Sequence, residues 1–351
     1  MTSETHQIAT LFICTTGECN LACHYCSAGA GLANRRALPP PTAERAVRGW
    51  LSGLDLPKAT LVLTGGEPLL WGLHNLERVF LAARDRAERR GIDLTLGIQS
   101  NATLVDGGFI SLCQRCGIEP SVSLDGPPHI NDLERGRGTT VLSALRRMQD
   151  GGICFGVVSC LTPGLADAIE DALDWFRENG LRKLRVNTVG PVASRSGGGR
   201  LEADTLFKVK KAIYEHMLKH PDGPVRERNV LRQVRGFDDA VLGRQPAREH
   251  CELWRCGAGT HLACLNPDGT FSMCVEKSLT DGLGGARSLR GLRRVHEAFW
   301  QDRLPWRRCQ ACPAEPMCDH GCAAYHKLDH RRFADECEAN RMFWKYLTLR
   351  R

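Results

Sequence analysis

The sequence predicts an α/β fold: a partial barrel of six strand–helix units, followed by a smaller cysteine-rich domain. Three observations carry this. Short β-rich runs alternate with helical stretches from residue 9 to about 190. Repeated strand–helix alternation implies a parallel sheet with right-handed crossovers, and six units are too few for a closed eight-stranded barrel. Nine of the seventeen cysteines fall after residue 250.

The strands are expected at Ala9–Cys14, Thr60–Thr64, Leu94–Gln99, Ser121–Leu124, Cys154–Cys160 and Lys183–Asn187. Each is a short apolar or β-branched run bounded by turn residues. The helices between them are expected at Ala43–Leu51, Leu73–Arg90, Gly108–Cys116, Val141–Asp150 and Leu165–Asn179. Leu73, Leu76, Val79, Phe80 and Ala83 repeat with helical period in the second. Thr42 is the expected N-cap of the first, and Gly91 and Gly180 read as C-terminal stops. Ser194–Gly199 breaks the pattern, and a helical stretch from Leu201 to about Leu242 follows. The division expected is residues 1–200 for the partial barrel, 201–250 for a helical bridge and 251–351 for the cysteine-rich domain.

Composition excludes several classes. The chain has 351 residues and 42% hydrophobic content, ordinary for a globular protein. No run approaches the ~20 apolar residues of a membrane helix. Met1–His6 carries no basic-then-apolar signal, so the protein reads as cytoplasmic and off the membrane. Seventeen cysteines in that compartment point to metal ligands rather than disulfides. The net charge of +7 comes with scattered arginines and no aromatic-interleaved basic stripe, so no nucleic-acid partner is expected.

The densest signal is Cys19-x3-Cys23-x2-Cys26, directly after the first strand. Three thiolates in eight residues need a loop curled around one object. Structural zinc takes four ligands, and this loop supplies three. A [4Fe-4S] cluster on three cysteines leaves one iron open to a small molecule. With Tyr25 before the last cysteine, the loop resembles that of the radical S-adenosylmethionine (SAM) enzymes. In that family the open iron binds the amino and carboxylate groups of SAM. Reductive cleavage then yields methionine and a 5′-deoxyadenosyl radical.

The resemblance extends to the strand ends, where ligands bind in such sheets. Thr64-Gly65-Gly66-Glu67-Pro68 is similar to the family motif at the SAM amino group; the two glycines let backbone approach a ligand, and Glu67 can accept from an ammonium. Gln99-Ser100-Asn101 resembles the polar pair beside SAM. The resemblance places Ser123 near the SAM ribose or carboxylate, Arg135 on the carboxylate, and Asn187 on the adenine side. A guanidinium suits a carboxylate because it forks onto two oxygens.

The C-terminal cysteines read Cys256-x12-Gly269-x4-Cys274, then Cys309-x2-Cys312-x5-Cys318-x3-Cys322, then Cys337. Asn266–Thr270 reads as a hairpin turn between Leu265 and Phe271. These spacings are similar to the SPASM domain, a radical SAM extension holding two auxiliary [4Fe-4S] clusters. The resemblance therefore implies a TIM-like partial (β/α)6 radical SAM barrel with a SPASM domain of one β-hairpin plus short helices. It implies three [4Fe-4S] clusters and SAM as cofactors. The first auxiliary cluster would use Cys251, Cys256, Cys274 and Cys322; the second would use Cys309, Cys312, Cys318 and Cys337. Either Cys251 or Cys264 completes the first, or it stays one ligand short; Cys264 reads as a hairpin core thiol. Cys14, Cys113, Cys116, Cys154 and Cys160 read as small buried hydrophobes.

Relatives with this domain mostly modify ribosomally made peptides, and auxiliary clusters suit reactions in which a substrate radical loses an electron. The expected activity is an oxidative peptide maturase that forms a side-chain crosslink. The alternatives are a sulfatase-type formylglycine-generating activase and a dehydrogenase or epimerase acting on a small molecule. Sulfatase-type members carry an Asp after the hairpin cysteine, where this chain has Val275. Eighteen residues before Cys19 leave no room for an N-terminal recognition domain, so a separate recognition protein or the barrel rim would bind the precursor peptide. The resemblance also implies an external electron donor such as flavodoxin or ferredoxin.

Overall fold

The computed structural model describes residues 6–26, 35–189, 200–244, 257–275, 286–300, 309, 311–318 and 330–350. Its strands are β1 Thr10–Cys14, β2 Lys58–Thr64, β3 Asp93–Ser100, β4 Ile118–Ser123, β5 Gly156–Leu161, β6 Lys183–Thr188, β7 Arg226–Glu227, β8 Leu262–Leu265 and β9 Phe271–Ser272. Its helices are α1 Pro40–Gly53, α2 Leu73–Arg90, α3 Gly107–Cys116, α4 Pro128–Glu134, α5 Gly138–Asp150, α6 Pro163–Asp167, α7 Ile169–Glu178, α8 Ala203–Lys219, α9 Arg228–Val241, α10 Leu289–Trp300, α11 Glu315–Cys318 and α12 His330–Leu349. The residues fall into two compact units that are not contiguous in sequence.

The first unit contains β1–β4, β8, β9, α1–α3, most of α5 and α10. Strands β1 to β4 pair in parallel in sequence order, as the alternation predicts. After exposed Lys58, β2 alternates buried and half-buried residues. Helix α2 has the predicted bounds and ends where Gly91 turns left-handed at φ 64°, its N–H donating to Ala87 and Glu88 carbonyls. Helix α1 starts three residues before the expected Ala43, with Pro40 in its first turn and Pro39 as the capping residue in place of Thr42. Proline costs nothing there because first-turn N–H groups have no intrahelical partner.

Strand β8 lies beside β1 in parallel register, Thr10 opposite Leu262 and Ile13 opposite Leu265. All four β8 residues are buried. The predicted hairpin turn forms: β9 pairs antiparallel with β8, Asn266 N donates to Thr270 O at 2.8 Å, and Gly269 sits at φ 82°. The hairpin thus packs with the N-terminal strands and shares their core.

The second unit contains α4, β5–β7, α6–α9, α11 and α12. Its strands β5, β6 and β7 are again parallel in order. Helix α4 was not expected, because it is a single short turn-rich segment after Pro127 and Pro128. The single helix expected over Leu165–Asn179 is two, α6 and α7, broken at Ala168. The bridge is also not one helix: Pro221-Asp222-Gly223-Pro224 ends α8, and β7 joins the sheet before α9. Glu227 fixes that junction, its carboxylate accepting from Asn229 N, Val230 N and Val186 N at 3.1, 2.6 and 2.9 Å. Helix α12 packs on α8 and α9 through Phe343, Tyr346 and Trp344 against Tyr214, Phe207 and Phe237. Gln233 donates to Asn340 at 3.0 Å in the buried seam.

Candidate functional site

The cysteine loop leaves the C-terminal end of β1. Its base is bolted to the rest of the first unit by main chain. Thr15 N donates to Thr64 O, Gly66 N to Thr16 O and Glu67 N to Glu18 O, at 2.8, 2.7 and 2.8 Å. Gly17 N donates to Arg36 O on the other side at 2.7 Å. This close approach explains both glycines of the motif. Gly65 sits at φ 138°, and a Cβ there would collide with Thr16 O. A Cβ on Gly66 would strike the Glu18 carbonyl, 2.6 Å from its carbon. The glycines bring backbone against the backbone of the cysteine loop, which positions the thiols.

The Glu67 carboxylate is engaged within the first unit. Its side chain is fully buried. Oε1 accepts from Leu69 N at 3.0 Å and Ser100 Oγ at 2.9 Å, and Oε2 accepts from Asn101 N at 2.7 Å. The carboxylate therefore caps the turn after β2 and ties it to the end of β3. Burial pushes Glu67 up to about 6, against the pull of those hydrogen bonds.

Asn101 is buried and reaches the loop. Its Nδ2 donates to Asn20 Oδ1 at 2.9 Å and lies 3.8 Å from Cys19 Sγ. Its Oδ1 accepts from Thr103 N and Oγ1 at 3.0 and 2.7 Å. Ala102, next in the chain, is buried at φ 59°, a left-handed conformation costing a non-glycine residue ~1–2 kcal/mol. The neighbouring Asn101 network holds it there. Gln99 Nε2 donates to Ser123 Oγ at 2.9 Å, so the ends of β3 and β4 present a joined polar pair. Tyr25 is buried within the loop.

Arg135 and Asn187 belong to the second unit. Arg135 Nε donates to the buried carboxylate of Asp125 at 2.9 Å, and Asp125 Oδ1 accepts from Cys160 N at 2.8 Å. Asn187 is exposed at β6. Asn20, Ser100, Thr103, Thr16 and Asp125 were missed in the sequence. Only Ser100 carried a signal, as the middle residue of Gln99-Ser100-Asn101.

The donor set fits an iron–sulfur cluster. Three thiols share a braced loop, and an amide points at one sulfur, the contact that tunes such clusters.

In the second unit, Cys312 N donates to Cys309 O at 3.0 Å, and Cys318 ends α11. Burial first, then the charges of Cys309 and, more weakly, Cys312, push Cys337 up to about 11, which places these three thiols in one neighbourhood. Burial and then Cys312 raise Cys309 as well. Cys251, Cys256, Cys322 and Ser194–Gly199 lie outside the described residues. Cys264 is buried in β8, its sulfur 3.5 Å from Cys14 Sγ. The hydrogen bond with Cys14, and then burial, push its thiol up. Cys264→Ala is expected to keep the full iron content and to cost ~1–2 kcal/mol in urea unfolding through the small cavity it leaves; loss of about four irons would assign it to a cluster instead. Cys113 and Cys116 are buried as expected, whereas Cys154 is exposed, because β5 begins two residues after it.

A parallel sheet with a three-thiol loop at the end of its first strand defines an enzyme class that works through a cluster with an open iron. The family model of the radical SAM superfamily matches residues 13–193, more than half of the chain, and the chain belongs to that superfamily. It is similar to the serine-type anaerobic sulfatase-maturating enzyme of Klebsiella aerogenes, 23% identical over 322 residues, covering 88% of this chain and 77% of that one. A structure of native anSMEcpe with bound AdoMet and Cp18Cys peptide superposes with a TM-score of 0.78, at 18% identity and 97% coverage of both chains. Streptococcus suis SuiB bound to precursor peptide SuiA gives 0.63 at 16% identity, covering 93% of this chain and 74% of that one. These two show a shared fold. The protein is therefore a radical SAM enzyme, using SAM and iron–sulfur clusters. No helix of the described residues is long and apolar enough to cross a membrane.

Proposed function

We propose that this chain is an oxidative maturase that removes one hydrogen from each of two side chains of a ribosomally made peptide and joins them, the SAM-derived radical taking one hydrogen atom and the second leaving as a proton with its electron passed to an auxiliary cluster. The observation that carries the reading is likeness in fold, over nearly the whole of both chains, to a structure with AdoMet and a peptide bound. When bound, the cluster and SAM supply the radical that takes a substrate hydrogen. The chain's own residues hold the reactants. Cys19, Cys23 and Cys26 hold the cluster, with Thr16–Glu18 and Gly65–Glu67 fixing the loop. Asn101 orients Cys19. The Gln99–Ser123 pair offers polar atoms to SAM. Two auxiliary clusters take Cys274 with Cys251, Cys256 and Cys322, and Cys309, Cys312, Cys318 with Cys337. A flavodoxin- or ferredoxin-type protein donates the electron, and a separate protein or the barrel rim binds the peptide.

Sulfatase maturation is the second reading, favoured by the relatives. Oxidising a serine to an aldehyde requires a base to take the hydroxyl proton, and Val275, 42% exposed after the hairpin cysteine, offers none.

Intact mass separates the two. A short peptide encoded beside the gene, co-expressed with this protein, is expected to lose about two mass units per event, one pair of hydrogens, with fragmentation locating a new bond between side chains. An unchanged neighbouring peptide, together with an aldehyde on a serine-containing sulfatase peptide, would replace the first reading with the second.

A further inference from the structure

Away from every cysteine, three ligating side chains converge in the second unit. His216 and His220 are four residues apart at the C-terminal end of α8, which puts them on one face. Their rings lie 4.7 Å apart. Asp174, on α7, presents Oδ1 to both: 3.7 Å from His216 Nδ1 and 3.6 Å from His220 Nε2. We propose that Asp174, His216 and His220 bind a divalent transition ion of the zinc class, clipping α7 to the end of α8.

Four observations support the site. All three ligating atoms fall within 4.8 Å of one another. The nitrogens stand too far from the carboxylate for hydrogen bonds, and Nε2 of His220, the atom that faces Asp174, is buried without a hydrogen-bond partner. His216, whose Nδ1 faces the same oxygen, is only 7% exposed. An ion with ~2.0–2.2 Å bonds to nitrogen and oxygen brings adjacent ligand atoms to ~3.0–3.5 Å, close to the 3.6 and 3.7 Å that separate the nitrogens from Asp174 Oδ1.

The chemistry is right for such an ion. Two imidazoles and one carboxylate are a zinc donor set, completed by water. Burial, and then the neighbouring His220, hold the His216 imidazole below its ordinary range in spite of Asp174. Asp174 is 45% exposed, which leaves a path for the ion and for the water ligand. Two cations face the group: Arg177, whose Nε lies 3.9 Å from the same Oδ1, and Lys219, which also lowers His216. Arg177 Nε is itself buried without a hydrogen bond, so it has not taken Asp174 as a full partner. Two-histidine, one-acid geometry across two helices is also a means of ordering a helix terminus, since α8 ends at His220.

The test uses the iron-loaded protein, so that cysteines are already occupied. One equivalent of zinc chloride is added anaerobically, excess is removed by gel filtration, and zinc and iron are counted by mass spectrometry. About one zinc per chain is expected, with a zinc-edge X-ray absorption shell of nitrogen and oxygen at ~2.0–2.1 Å and no sulfur at ~2.3 Å. Asp174→Asn and His220→Gln are each expected to weaken zinc retention at least about tenfold at unchanged iron content. No retained zinc, a sulfur shell, or equal retention by both variants would overturn the site. Should a variant lose its iron through misfolding, the wild-type absorption shell decides alone.

Discussion

A protein carrying Cys19→Ala, Cys23→Ala and Cys26→Ala together is expected to hold about eight irons where the wild type holds about twelve, and to release no 5′-deoxyadenosine from SAM. The magnitude follows from how locally the loop is built. Its hydrogen bonds run to Thr64, Gly66, Glu67, Arg36 and Asn101 of the first unit. Cys309, Cys312, Cys318 and Cys337 belong to the second unit and keep their own neighbourhood. Removing three thiols from a pre-braced loop therefore deletes one cluster without unmaking the others. A wild-type count near four would remove the two auxiliary clusters from the account.

Glu67→Ala is expected to be the most damaging single substitution near the site that touches no metal ligand. It strips the acceptor from Leu69 N, Asn101 N and Ser100 Oγ, all buried. Orphaned buried donors cost about 1–3 kcal/mol each, so a loss of about 3–5 kcal/mol is expected below pH 5. The pH dependence has a definite sign. The carboxyl sits near 6 in the folded protein against 4.5 for its model value. Between those values the folded state binds the proton more tightly than the unfolded chain, so wild-type stability is fully present below 4.5 and falls as pH rises through 6. That difference amounts to about 2 kcal/mol. The variant lacks the slope, so its penalty shrinks by about that amount above pH 7. Anaerobic urea unfolding followed by tryptophan fluorescence from pH 5 to 7.5 measures it; a penalty that grows with pH would refute this role for Glu67.

What was legible was local. Three cysteines within eight residues and Thr64–Pro68 after an apolar run carry their chemistry in their spacing. The roles within the motif were not. Nothing in Gly-Gly-Glu-Pro says whether the glycines approach a ligand or another backbone, because that depends on Thr16–Glu18, some 50 residues earlier. Nor does it say that Glu67 turns inward, since its acceptors' partners come from β3. Helix bounds erred where proline and a weak cap compete with apolar period, at Pro40 and at Ala168. The expected helical bridge hid β7 because a two-residue strand has no period to read. The pairing of β8 with β1 was invisible for the same reason that it matters: 250 residues separate Cys14 from Cys264.

That separation sets a timetable for the nascent chain. One edge of β1 has no partner until Leu262–Leu265 emerges, which at ~5–20 residues per second leaves it bare for ~10–50 s. An unpaired, apolar strand edge is a template for pairing with another chain. The strand that carries the cysteine loop is thus the one whose ribosome-bound intermediate most needs shielding, and the hairpin that closes it acts as a late-arriving guard against self-association.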